Sequence, residues 1–136
     1  MRSQTNITVR FSDCDPIGHV NNATYFTYFE QSRVDLVRKL FNINADKNMR
    51  WQDFPFIIAE ISCKFLKPTF PDQKLIVTAI VGEVKNSSFY INYELNDKAT
   101  QELVATGSSV LVWYDYQKAQ SVRIPDIFRE RLTSKE

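Results

Sequence analysis

The segment Phe11-Ser12-Asp13-Cys14-Asp15-Pro16-Ile17-Gly18-His19-Val20-Asn21-Asn22 gathers two carboxylates, a thiol, an imidazole and two carboxamides in twelve residues. Pro16 fixes one backbone angle and Gly18 admits a left-handed one, so the loop is shaped to aim side chains as well as to connect. A helical pattern follows, and a helix start offers unpaired N–H donors with partial positive charge. A carbonyl placed there is polarised, and a developing oxyanion is held. A nearby carboxylate can attack that carbonyl or activate water against it. These are the parts needed to hydrolyse an activated acyl group. Each residue also has a plainer use. Asp13 and Asp15 suit turns, Asn21 and Asn22 suit helix caps, and a lone histidine is most often structural. Cys14 is the weaker nucleophile candidate, because its base would have to be His19 and no third group orients that ring.

The elements that must position this loop are legible on either side of it. Ile7, Val9 and Phe11 alternate with Thr8, Arg10 and Ser12, which predicts a half-buried strand over Thr5–Ser12. From Ala23 to about Phe41, Phe26, Phe29, Val37 and Leu40 recur at helical spacing, with Asp35 and Lys39 at i,i+4 on a solvent face. Residues 42–55 are irregular, with Trp51 and Phe54 as anchors. Ile57–Lys67 alternates and places Ala59, Ile61, Cys63 and Phe65 on one side. Leu75–Val84 is apolar on both faces, as in a covered strand. Lys85-Asn86-Ser87 is a hairpin connection, and Phe89, Ile91, Tyr93 and Leu95 alternate beyond it. Leu103–Tyr116 is a long strand in which Gly107 marks a bulge or a close approach. Pro125 opens a short helix through Leu132. The pattern is strand, long helix, then four strands in an antiparallel meander. One helix can cover one face of such a sheet only by lying centrally against it, and the other face then calls for a second copy.

Composition narrows the function classes. The 136 residues suit a single domain spanning 1–136 with one core. A net charge of +1 argues against a nucleic-acid binder held by bulk charge. No apolar run approaches the ~20 residues of a membrane span, and the first residues lack a leader's apolar stretch, so a cytoplasmic location and no membrane partner are expected. The two cysteines, Cys14 and Cys63, form no C-x-x-C, and His19 is the only histidine, so no metal site is expected. Aromatic residues, at 13%, are numerous for a small neutral domain.

The pattern D-x-D-x-x-G-H-V-N-N-x-x-Y at Asp13–Tyr25, with F-E-x-x-R at Phe29–Arg33, resembles the signature of the hotdog-fold acyl-CoA thioesterases of the 4-hydroxybenzoyl-CoA thioesterase-like superfamily. The resemblance extends more loosely to Ile61–Pro68, Pro71-Asp72, Ala105-Thr106-Gly107 and Ile124-Pro125. It implies a five-stranded antiparallel sheet wrapped around one long helix, an α+β fold, in homodimers or homotetramers. Asp15 then matches the family's nucleophile or general base. The backbone N–H groups near Asn22 and Ala23 match the helix start that polarises the thioester. His19, Asn21 and Asn22 match the H-V-N-N loop also seen in plant acyl-ACP thioesterases. Those enzymes carry an asparagine where this chain has Ile17, and their glutamate and cysteine near the second-strand turn are absent from Lys67-Pro68-Thr69. Glu30 and Arg33 are expected as a structural pair at i,i+3. Glu30 is also a second-choice catalytic residue, because other branches place a catalytic glutamate on the helix.

The function implied is hydrolysis of an acyl-CoA thioester to the free acid, with coenzyme A as part of substrate and product and no other cofactor. The acyl group is expected against Tyr25, Tyr28 and Phe29, with Phe54 or Phe56 beside them. Lys64, Lys67, Lys85 and Arg123 are the bases available for the coenzyme A phosphates, and the hairpin of Lys85, Ser87 and Ser88 is preferred. The alternatives are an acyl-ACP thioesterase and a non-catalytic acyl-CoA-binding protein of the same fold.

Overall fold

The computed structural model describes residues 1–135. The side chain of Trp51, expected as an anchor, lies outside the described residues. The chain runs β1 (Arg2–Thr8), α1 (Asn22–Leu40), β2 (Phe56–Phe65), β3 (Lys74–Val84), β4 (Ser88–Asp97), β5 (Leu103–Asp115), β6 (Gln120–Ser121) and α2 (Asp126–Thr133). The sheet is antiparallel in the order β1-β3-β4-β5-β2, and the two-residue β6 pairs with the end of β5. The long helix covers one face. Tyr25, Tyr28, Phe29, Leu36, Val37 and Leu40 from α1 share one core with the inward residues of β3, β4 and β5.

The four-strand meander is corrected to three strands. β3, β4 and β5 are consecutive neighbours, but β2 pairs with β5 at one edge and the chain then crosses the sheet to place β3 between β1 and β4. Alternation reveals strands, not their partners, so spatial order lay outside what spacing could give.

Two local deviations also have physical causes. The first strand lies at Arg2–Thr8, earlier than expected, and Phe11 sits in a single 3-10 turn, 85% exposed. The Asp13 carboxylate accepts from the Arg10 backbone N–H at 2.9 Å and draws the chain into that turn. In β2 the pairing with β5 shifts register between Ile58 and Glu60. Ala59 is the extra residue of that bulge, so it is exposed, whereas Ile61 and Cys63 are half-buried. Asp35 and Lys39 do not simply face solvent. Thr5 Oγ1 donates to Asp35, and Lys39 Nζ donates to the Arg2 carbonyl, so both bind β1 to the helix.

Gly107 marks a close approach. A Cβ there would lie 2.5 Å from Phe29 Cε2 and 2.7 Å from the Ser62 carbonyl oxygen. Among the described residues no helix is long and apolar enough to cross a membrane.

Candidate active site

The loop between β1 and α1 is closed by backbone bonds at three levels. Cys14 and Val20 form a β-bridge, Asp15 N–H donates to the His19 carbonyl at 3.0 Å, and Gly18 N–H donates to the Asp15 carbonyl at 3.0 Å. Asp, Pro and Gly stand at the first, second and fourth positions of that turn, as its geometry favours, and Gly18 takes φ +100°. Asp15 Oδ1 accepts from Ile17 N–H at 3.0 Å, which orients the carboxylate within the turn. Val20 N–H donates to the Thr69 carbonyl at 2.9 Å and docks the loop on the β2–β3 connection.

Asp13 anchors the loop. Its buried carboxylate accepts from Arg10 N–H, from Arg10 Nε and Nη2, and from the Tyr28 hydroxyl at 2.9 Å. Its carbonyl accepts from Asn21 N–H at 2.9 Å. Burial alone would raise its pKa, but the Arg10 and Tyr28 hydrogen bonds more than offset this and hold the carboxyl below its ordinary value. A depressed folded-state pKa contributes stability that is complete above the unfolded value of about 3.9 and is lost as pH falls through the folded value. Asp13→Asn is therefore expected to flatten the decline of stability below about pH 4. Thermal unfolding across the acid range checks this, and an acid limb identical to wild type would refute it.

At the helix start Asn21 is the N-cap, and its Oδ1 accepts from Ala23 N–H at 2.9 Å. Thr24 N–H donates to the Asn21 carbonyl. The Asn22 N–H has no partner among the described residues. Asn22 itself lines a cleft of about 210 Å³ together with His19, Val20, Tyr25, Phe65, Leu66, Lys67 and Pro68. Tyr25 is fixed in the wall by a 2.9 Å bond to Thr69 Oγ1. Burial pushes the Cys14 thiol up, and the Asp13 and Asp15 carboxylates push it further, which opposes a thiolate there.

Of the expected set, His19, Asn22 and Tyr25 line the cleft; Asp15 is held behind His19 by its N–H bond to the His19 carbonyl and Asn21 caps the helix, and neither is among the lining residues. Ala23 N–H is already engaged by the cap. Tyr28 and Phe29 are core, 2% and 0% exposed: Tyr28 binds Asp13, and Phe29 stacks on Tyr93 at 4.6 Å. Neither lines the cleft. Lys85, Ser87 and Ser88 lie at the other end of the sheet. Ser88 pairs with Val112 on β5, while Phe65 of the cleft pairs with Ala105, seven residues or about 24 Å away along the strand. Arg129 and Ile124 instead bind the Asn86 carbonyl, and Arg129 also binds that of Lys85, so this hairpin is a seat for the C-terminal segment. Glu30 is exposed and makes no ion pair with Arg33 among the described residues; Arg33 donates to the Tyr93 hydroxyl instead. Spacing along α1 allowed the Glu30–Arg33 pair, but burial draws the guanidinium under the helix. Lys67, one of the bases considered but not the preferred one, stands at the cleft, and spacing missed Leu66 and Thr69, which reach the loop only through the sheet's pairing.

The family model described as the thioesterase-like superfamily matches residues 9–132. The chain belongs to that superfamily. It is a thioester hydrolase, and its sheet around a central helix is the hotdog fold. This thioesterase is 28% identical over 128 residues to the chloroplastic acyl-acyl carrier protein thioesterase ATL3 of Arabidopsis thaliana, covering 94% of this chain and 66% of that protein. It is 24% identical over 129 residues to the long-chain acyl-CoA thioesterase FadM of Escherichia coli (strain K12), covering 95% and 96%. Among solved structures, a thioesterase complexed with coenzyme A and Zn from Thermus thermophilus matches with TM-score 0.79 at 28% identity, covering 96% of this chain and 97% of that one.

Proposed function

We propose that this thioesterase hydrolyses acyl-CoA thioesters at the cleft beside the start of α1. The unpartnered N–H of Asn22, a residue of the cleft wall at the helix start, carries the reading, because such a donor can hold an oxyanion formed there. Asp15 supplies the carboxylate, either attacking the carbonyl carbon to give an anhydride that water opens or drawing a proton from the attacking water. Coenzyme A departs as a thiolate with little acid assistance, because a thiol pKa is about 8.5. His19 lines the cleft and is one turn across from Asp15, so it orients the thioester or relays the proton. Ala23 N–H becomes a second donor only if the Asn21 side chain releases it. Lys67, at the cleft and paired with Glu102 at 2.8 Å, is the base nearest the site for the coenzyme A phosphates and replaces Lys85 in that role.

A second copy belongs to the reading. β2 ends the sheet with one unpaired edge, and Ile57, Ile58 and Phe65 on it are 38%, 46% and 44% exposed. Such an edge is seldom left open to water.

A panel of acyl-CoAs with a thiol-trapping reagent tests the proposal, with molar mass measured on the same sample. Turnover of at least one acyl-CoA by a species of twice 15.9 kDa or more is expected. The likeness to ATL3 favours acyl-ACP as the second reading, and hydrolysis of carrier-bound acyl groups alone would replace the first with it.

A further inference from the structure

Beneath the middle of α1 three polar side chains are buried together. The Tyr93 hydroxyl lies 2.6 Å from Ser109 Oγ, and Arg33 Nη1 donates to that hydroxyl at 3.3 Å. Arg33 is 8% exposed, and Tyr93 and Ser109 are 1% exposed each. No carboxylate pairs with this guanidinium among the described residues. Burying a guanidinium without an anion is costly, because only part of its five-donor fork is then satisfied. Arg33 also forms part of the wall of a cavity of about 300 Å³ whose apolar lining includes Val37, Phe54, Phe56, Ile58 and Leu111. Apolar walls with a few convergent polar groups are the anatomy of a small-molecule site. Glu30 stands at this cavity but is exposed, so water screens its charge.

The cavity is in line with the cleft. Asn22, Phe26 and Arg33 are spaced by four and seven residues, which puts them on one stripe of α1. From Asn22 to Arg33 the helix rises about 16 Å, the length of an extended acyl chain rather than of a thioester group. We propose that this cavity receives the far end of the acyl group and that Arg33 selects acyl groups ending in a carboxylate over those ending in a methyl. The guanidinium fork pairs with a carboxylate through two parallel N–H bonds, whereas a methyl end leaves it unsatisfied.

The inference rests on the acyl-CoA reading, and one experiment separates the two. Acyl-CoAs are compared in pairs of equal chain length, one ending in a methyl and one in a carboxylate, by coenzyme A release. At the length that spans cleft and cavity, kcat/KM is expected to favour the carboxylate by at least about tenfold. Arg33→Met is expected to abolish that ratio. Should it fail to fold, Arg33→Lys, which keeps the charge without the planar fork, is expected to retain only a reduced ratio. Equal or better hydrolysis of the methyl-ended partner at every length overturns this inference and leaves the acyl-CoA reading standing. Hydrolysis of neither series overturns both. A ratio that persists in a folded Arg33→Met variant overturns the role of Arg33.

Discussion

Replacing Asp15 with asparagine is expected to lower thioester turnover by about 10²–10⁴-fold while the protein stays folded. The side chain's one hydrogen bond among the described residues, from Ile17 N–H to Oδ1, has an acceptor in the amide oxygen as well, so the turn keeps its shape. Gly18 at φ +100°, the Cys14–Val20 bridge and the Val20–Thr69 bond hold the loop independently of this side chain. What the amide lacks is the negative oxygen that attacks a carbonyl or takes a proton from water. Loss of turnover with an unchanged unfolding midpoint therefore separates a chemical role from a turn-forming one. Turnover close to wild type would place the chemistry elsewhere, with Glu30 the next carboxylate to replace.

Gly107→Ala is expected to cost about 3 kcal/mol of stability, the upper end of what overpacking a core does. The added methyl would meet both the Phe29 ring and the Ser62 carbonyl oxygen at less than 3 Å. Phe29 is fully buried and stacked on Tyr93 at 4.6 Å, so it has nowhere to retreat. The Ser62 oxygen belongs to the backbone of β2, so relief requires the strand to move off β5. Gly82→Ala is the internal comparison. Its methyl would come within 2.9 Å of Asn92 Nδ2, the end of an exposed side chain that can rotate away. Chemical denaturation should show a large loss for Gly107→Ala and a small one for Gly82→Ala. Equal losses would mean that the helix and β2 are not packed as closely as described.

Much of the site was legible because it is local. Asp13 to Asn22 is one stretch of chain, and Pro16, Gly18 and the Asn21 cap act on their nearest neighbours, so residue type and order carry the geometry. The plainer reading was correct for Asp13, whose carboxylate ties down Arg10 and Tyr28. The reading of Tyr28 and Phe29 as acyl contacts fails for a related reason. Helical spacing places them on an apolar face but cannot tell a face turned to a core from one turned to a ligand.

The amino-acid order alone determined the existence and type of the long helix and the five long strands and the loop that precedes the helix, because these depend on periodicity and on contacts a few residues apart. Only the tertiary structure decided that β2 lies beside β5, which brings Phe65, Lys67 and Thr69 to the loop and leaves Lys85 at the far end of the sheet. It alone decided that Arg33 turns away from Glu30 to a hydroxyl under the helix. Both outcomes depend on which surfaces meet across long stretches of chain, and strand alternation and i,i+3 spacing are the same whichever partner is chosen.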